Sequence, residues 1–334
     1  MNIKVSVLKP VLCQVMVGRM CLQEFLRRVL IAFAVLACGH AFAQDSDIKL
    51  SVEEISKARA IRRNDAMHGF TLMVNSYRRL VKPKLSSIDA LSMEDIHVLF
   101  ELSAELAFYS NLYKGGSDVS YLRDMRRAYA ILSKNGGQTG SDKFAMRETL
   151  EQYRDFRSAE IISGYRSNVI LKRDDLGYVI NPKPSRGDSS RPVLSFSGDL
   201  KKFEISGKKV SKEFQIIVLG GCHFASDAAT RIDADDEISS AFEKANAIWI
   251  ASSTTPLSVE DFSNWQSDHP RQKLVIAFSN LDWPSVRFDS IPTFHLFRKG
   301  RLVAVLTGWS SDEKSLNDLR SILAKNDLLL PRAD

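Results

Sequence analysis

The sequence predicts an all-α region followed by an α/β domain, on three observations. Between residues 51 and about 165, apolar side chains recur at intervals of three and four, and the punctuation is Gly, Asn and Pro. From Asn181 to Pro192 the composition shifts to Pro, Ser, Arg, Gly and Asp, which is linker chemistry. After Val193, short apolar runs alternate with helix-like stretches in the rhythm of an α/β domain. The predicted organisation is a leader at 1–43, a helical domain at 44–180, a linker at 181–192 and an α/β domain at 193–334.

The leader carries Arg27-Arg28, the apolar run Val29 to Ala37, and Ala41-Phe42-Ala43 before Gln44. This is the pattern of a secretory signal. The run spans about nine residues where a membrane-spanning helix needs roughly twenty, which favours cleavage over anchoring. Met20 is an alternative start that would give a signal of ordinary length. Cleavage after Ala43 competes with a lipobox-like alternative, Val35-Leu36-Ala37-Cys38-Gly39, in which a lipidated Cys38 becomes the mature N-terminus and attaches the chain to a membrane. Either route leads to the periplasm or cell envelope. Cys13 and Cys21 are removed in both, and Cys38 is removed or capped by lipid, so Cys222 is the one thiol left. A single cysteine makes no intramolecular disulfide, an unusual usage for an oxidising compartment. The formal charge of +6 is spread along the chain without a basic block, so nucleic acid is not an expected partner.

In the helical region, Ile88, Leu91, Ile96, Leu99, Leu102 and Leu106 form a stripe. Ser92-Met93-Glu94-Asp95 reads as a cap followed by acids in the first turn, and Gly115-Gly116 closes that helix. A second helix is expected from Asp118 to Lys134 and a third from Ser141 to Ser163. Short connections make them antiparallel neighbours in a bundle, or two helix hairpins without a recognisable repeat signature. Arg62-Arg63, Arg78-Arg79 and Arg126-Arg127 are either exposed helix faces or a surface for an acidic protein partner. Tyr109, Tyr113, Tyr121, Tyr129 and Tyr153 are expected to pack the core and its edges.

In the second region a hairpin is expected over Val193 to Lys209, and strands at Phe214–Leu219, Ala247–Ser252, Lys273–Phe278, Pro292–Phe297 and Leu302–Thr307. Phe224 to about Ala245 is expected to be mostly helix, with further helices from Ser258 to Gln266 and from Ser311 to Ala324. The Asp282-Trp283-Pro284 turn brings an indole that is expected to pack, and Trp309 is expected to close the last strand against the final helix.

Gly221-Cys222-His223-Phe224-Ala225 stands where an apolar strand runs into a helix, and Ile291-Pro292-Thr293 leads into a later strand. On these two segments and the order of strands around them, the stretch from Val193 to Lys325 resembles the thioredoxin-like superfamily. It is most similar to periplasmic thiol-disulfide oxidoreductases with an extra strand and helix before the cis-proline. The resemblance implies a thioredoxin-like α/β fold, with Cys222 at the first position of the Cys-x-x-Cys motif and Pro292 as the cis-proline. It makes Cys222 and His223 candidate catalytic residues, and Gly221, Ile291, Pro292 and Thr293 candidate substrate contacts.

A helix N-terminus carries unpaired amides that favour the thiolate, the form that attacks disulfides, and a protonated His223 would add to this. Two departures narrow the chemistry. Ala225 occupies the resolving position, so an enzyme–substrate mixed disulfide has no internal thiol to release it. Phe214–Leu219 also lacks the buried carboxylate that many members carry.

Two functions remain open. One is monothiol exchange with protein or glutathione disulfides; the other is a redox-inactive envelope scaffold that binds a partner at the old substrate groove, with the helical domain as a further surface. The pair of glycines before Cys222 favours an exposed backbone over a packed, inert thiol. No cofactor is expected, since phosphate loops, nucleotide fingerprints and serine elbows are lacking. No metal is expected either, because His269 and His295 lie far in sequence from His68 and His97 without ligand spacing.

Overall fold

The computed structural model describes residues 47–62, 65–164, 169–170, 190–199, 201–211, 213–310 and 312–329. The chain divides into two units, Met1–Phe42 and Ala43–Asp334. The first, with the predicted leader, Met20, Cys13, Cys21 and Cys38, lies outside the described residues, as does 181–189 of the predicted linker.

The helical region runs α1 (Asp47–Arg62), α2 (Ala66–Ser76), a π-helical turn (Tyr77–Val81), a 3-10 stretch (Lys82–Ala90), α3 (Met93–Lys114), α4 (Ser120–Lys134), α5 (Gly140–Gln152) and α6 (Phe156–Ser163). The caps are those the sequence announces. Ser92 accepts from the Asp95 amide at 3.1 Å, and Gly115 takes the left-handed conformation that ends α3. Ile88, Ile96, Leu99, Leu102 and Leu106 are buried together with Phe70, Met73, Tyr77, Phe100 and Met125. Within this core the Tyr77 hydroxyl meets Ser103 Oγ at 2.9 Å and donates to Asp124 at 3.1 Å, while Lys82 Nζ donates to the same carboxylate at 2.7 Å. The buried acid is therefore fully partnered, as a stable interior requires.

The single helix expected from Ser141 to Ser163 is two helices. α5 stops at Gln152 and α6 starts at Phe156, with Asp155 capping it by accepting from the Ser158 amide at 3.1 Å. Between them Arg154 sits at φ +63°, a left-handed conformation uncommon for a side chain of this size. Apolar spacing continues through the break, so periodicity did not reveal it.

Burial, with the nearby Glu151 carboxylate, pushes Glu148 of α5 up to about 7 against the opposing pull of Arg147. A carboxyl raised in the folded state favours folding while protonated. Its contribution is present below the ordinary value of 4.5 and is lost as the pH rises to about 7. Glu148→Gln is expected to abolish that loss and to stabilise the chain at pH 8 by as much as roughly 3 kcal/mol. Urea unfolding of both proteins at pH 4 and pH 8 measures the difference.

The second region is a thioredoxin-like α/β domain. Its elements are β1 (Val169–Ile170), β2 (Ser190–Ser197), β3 (Lys202–Lys209), β4 (Phe214–Leu219), α7 (His223–Asp233), α8 (Asp236–Lys244), β5 (Ile248–Ala251), α9 (Val259–Asp268), β6 (Leu274–Ala277), a 3-10 turn (Asn280–Asp282), β7 (Thr293–Arg298), β8 (Arg301–Thr307) and α10 (Glu313–Lys325). The sheet order is β1-β3-β2-β6-β5-β4-β7-β8. β4, β5 and β6 are parallel, and β7 returns antiparallel against β4. The stretch from Phe224 to about Ala245, expected to be mostly helix, is two helices that part at Ala234–Asp235, where Asp235 caps α8 by accepting from the Ile238 amide at 3.0 Å.

Alternation along the strands sorts the core into two faces. On one, Trp249 and Phe294 pack with Phe242 of α8, Trp265 of α9 and Trp309. On the other, Ile217, Leu219, Ile250, Val275 and Ala277 are covered by Trp283, Val286, Phe288 and Ile291 of the β6–β7 connection. Trp283 thus packs as expected. Trp309, expected to close the last strand against the final helix, packs on Phe294 of β7 and its Nε1 donates to Asp227 of α7 at 2.8 Å.

The helical region docks on the loops that follow β5 and β6, through polar bonds. Arg154 donates to the carbonyls of Ala277 at 2.6 Å and Phe278 at 3.0 Å. Asn280 donates to the Leu112 carbonyl at 3.0 Å, and Ser279 to that of Gly115 at 3.0 Å. Gln152 donates to the Thr254 carbonyl at 3.1 Å, and Ser253 to Asn111 Oδ1 at 3.2 Å.

Candidate functional site

β4 is buried on both faces, so it runs through the interior of the sheet and delivers its C-terminal end to one edge. At that end the Gly220 amide donates to the Ile250 carbonyl at 2.9 Å. A Cβ on Gly220 would lie 2.8 Å from Leu274 Cδ1, and Gly221 takes φ +104°. The two glycines therefore serve close packing and a turn that other residues resist. They do not expose the thiol as expected, since Cys222 retains only 8% of its surface.

Cys222 is the N-cap of α7, extended at φ −134° and ψ 166°. Helices α8, α9 and α10 each begin with an aspartate or serine oxygen that accepts from an amide of the first turn, whereas no side-chain cap bond is made at α7. A sulfur stands where the other helices place an oxygen. First-turn amides favour negative charge on a group in that position. Cys222 is in no disulfide.

Antiparallel pairing carries Pro292 to the same edge. Val218 is opposite Phe294, so continuing the register by two residues sets Gly220 against Pro292, with Cys222 just beyond. The Ile291–Pro292 peptide is cis, and the Pro292 carbonyl accepts from Gly308 at 2.8 Å. Thr293 is buried and its hydroxyl donates to the Ser290 carbonyl at 2.7 Å. Ile291 is half-buried against the Trp283 cluster.

The remaining predicted residues separate by exposure. His223 is exposed and its ring lies 3.9 Å from that of Phe224. Ala225 is fully buried. Thus Cys222, Gly221, Pro292, Ile291 and Thr293 share one end of the sheet, and His223 faces outward beside them.

Two buried histidines, which the sequence argument weighed only as metal ligands, lie deeper in this domain. His295 of β7 is opposite Ile217, and burial lowers its pKa. His269, at the end of α9, has its Nε2 2.7 Å from Ser226 Oγ and retains 2% of its surface. Ser226 was findable in sequence as the residue one helical turn after Cys222; His269, forty-three residues further on, was not. Among the described residues, no group of three or more His, Cys, Asp or Glu side chains is arranged to hold a metal ion.

No protein-family model matches the chain, and no curated protein sequence does. Solved structures show distant likeness. A mutant of Xanthomonas campestris peroxiredoxin Q is 14% identical over 40% of this chain and 90% of its own, with a TM-score of 0.28. A mutant of Xylella fastidiosa PrxQ is 13% identical over 41% of this chain and 89% of its own, with a TM-score of 0.29. A thioredoxin-like protein from Bacteroides caccae is 9% identical over 73% of this chain and 86% of its own, with a TM-score of 0.27.

Proposed function

We propose that this protein performs monothiol thiol–disulfide exchange in the cell envelope, with Cys222 as the attacking thiol and protein or glutathione disulfides as substrates. The observation that carries the proposal is a cysteine at the uncapped N-terminus of α7, on the same sheet edge as the Ile291-Pro292-Thr293 loop. A free thiol has a pKa near 8.5, and helix N-termini lower it. The thiolate attacks one sulfur of the substrate disulfide, a Cys222–substrate bond forms, and the other substrate sulfur leaves and takes up a proton. An extended substrate segment would lie along Ile291 and Thr293, and His223 at the rim would add positive charge when protonated. Because Ala225 replaces a resolving thiol, release falls to glutathione, a partner thiol or the substrate's own second cysteine.

Oxidised glutathione added to the folded chain from Gln44 onward, in which Cys222 is the one cysteine, is expected to give one adduct on Cys222 by intact mass, and Cys222→Ser none. An adduct that forms only after unfolding would sink the proposal. The second reading, a redox-inactive scaffold for an envelope partner, is supported by the small exposure of Cys222 and by Ala225. That same unfolding-dependent result would favour it.

A further inference from the structure

We propose that a cavity in the helical region binds a free α-amino acid, with Arg78 and the Tyr121 hydroxyl taking its carboxylate and Asp118 its ammonium group. The cavity measures about 470 Å³ and is walled by the π-helical turn and the 3-10 stretch on one side and by the start of α4 on the other. That volume is ordinary for a small-molecule site. The proposal does not depend on Cys222 or on the exchange reading.

The side chain that points to a ligand is Tyr121. It retains 2% of its surface, and its hydroxyl has no hydrogen-bond partner. Buried hydroxyls in folded chains nearly always find one. Burial raises the pKa of this hydroxyl, Arg78 opposes the rise, and Asp118 and Asp124 add to it; all three charges line the same cavity. Arg78 is a donor only and cannot receive the phenol proton. The Asp124 carboxylate already accepts from Lys82 Nζ at 2.7 Å and from the Tyr77 hydroxyl at 3.1 Å. The Tyr121 proton therefore lacks an acceptor until one enters the cavity.

Charge then selects the class of ligand. Lys82 and Asp124 neutralise each other, which leaves Arg78 and Asp118. Neither of these is in a salt bridge among the described residues. Arg78 is exposed, so the site opens to solvent. Asp118 Oδ1 accepts from the Ser120 amide at 3.0 Å. Burial acts to raise the Asp118 pKa, but the bonds from Ser120 and the charges of Lys114 and Arg78 outweigh it and hold this carboxyl below its ordinary value, so it is ionised at neutral pH. α4, which is 15 residues long, begins without a side-chain cap bond and without an acid in its first turn, so its amides add to the pull on a carboxylate. A simple anion would meet two carboxylates, Asp118 and Asp124, against one uncompensated cation. A simple ammonium ion would meet Arg78. A molecule that carries both charges a few bonds apart satisfies both residues, and an α-amino acid is the simplest of that class.

The test is thermal melting and titration calorimetry of the folded chain with each standard amino acid, and with acetate and methylammonium as single-charge probes. At least one amino acid is expected to bind and to raise the melting temperature, and neither probe to do so at the same concentration. Tyr121→Phe is expected to weaken that amino acid by about tenfold or more, yet to melt no lower than the wild type without ligand, because the hydroxyl it removes has no partner. Arg78→Gln and Asp118→Asn are each expected to weaken binding by about tenfold or more, and Asp118→Asn also to narrow the preference over acetate. The proposal is overturned if no amino acid binds, if acetate binds as tightly, or if Tyr121→Phe binds as the wild type does. A Tyr121→Phe chain that melts lower without ligand shows that the hydroxyl has an internal partner, and overturns it as well.

Discussion

Arg154→Met is expected to destabilise the folded chain by about 3 kcal/mol and to uncouple its two halves. The guanidinium lies in the joint between the helical region and the α/β domain, with 4% of its surface exposed. It donates to the carbonyls of Ala277, Phe278 and Glu151, and lies 5.6 Å from the Phe278 ring. Burial pushes its pKa down to about 9, with the Glu151 carboxylate opposing, so it stays charged at neutral pH. Methionine fills a similar volume but donates nothing, leaving the Ala277 and Phe278 carbonyls buried and unpaired. Each such group costs roughly 1 to 3 kcal/mol, and the relief of no longer burying a charge offsets part of the sum. A loss of this size is a large fraction of the usual 5–15 kcal/mol. Urea unfolding followed by far-ultraviolet circular dichroism and by tryptophan fluorescence separates the outcomes. Trp249, Trp265, Trp283 and Trp309 all report the α/β domain. Coincident transitions in the wild type are expected to part in the variant. Coincident, unshifted transitions in both would show that the joint does not depend on Arg154.

The elements that sequence made legible are those whose signals are local. Phe214–Leu219 is found at the expected bounds because five apolar residues among six, between Glu213 and Gly220, have one economical fate, a strand buried on both faces. Ser92 and Gly115 fixed the ends of α3 because caps and left-handed glycines act within one turn. The break at Arg154 was not legible. Its cause is two carbonyls at the end of β6, more than a hundred residues away, together with a cap at Asp155 that competes with an otherwise continuous apolar period. The break at Asp235 has the same local cause, an aspartate able to cap in the middle of a helical pattern.

The site divides along the same line. Cys222 and Pro292 were paired through the resemblance, not by any signal local to either; each stands at a strand end, and continuing the antiparallel register of β4 with β7 sets Gly220 against Pro292. What the glycines do was misread: Gly220 is required by the nearness of Leu274, and Gly221 by its positive φ, so neither reports exposure. The partner of Ser226 was out of reach, since nothing in the residues around His269 marks which helix that end of α9 will meet.

Ala225→Cys is expected to convert the site from one that holds a mixed disulfide to one that releases it. Cys222 at the N-cap and Ala225 at the third helical position stand in the relation of a capping box, in which the cap side chain reaches the third residue. A sulfur at 225 would therefore lie within reach of the Cys222 sulfur with little backbone change. In the native chain a Cys222–glutathione adduct must wait for an external thiol. In the variant the second thiol attacks from within, and intramolecular attack in a favourable geometry corresponds to effective concentrations of about 10⁵ M or more. The lifetime of the adduct, followed by intact mass after removal of excess glutathione, is expected to fall by at least about a hundredfold, with an internal disulfide as the product. Ala225 is fully buried, and the added sulfur is expected to cost roughly 1 to 3 kcal/mol of stability. The adduct assay is therefore run well below the melting temperature of the variant. An adduct as long-lived in the variant as in the native chain would mean that the N-terminus of α7 does not present Cys222 and residue 225 to each other, and the proposed site would lose its geometric basis.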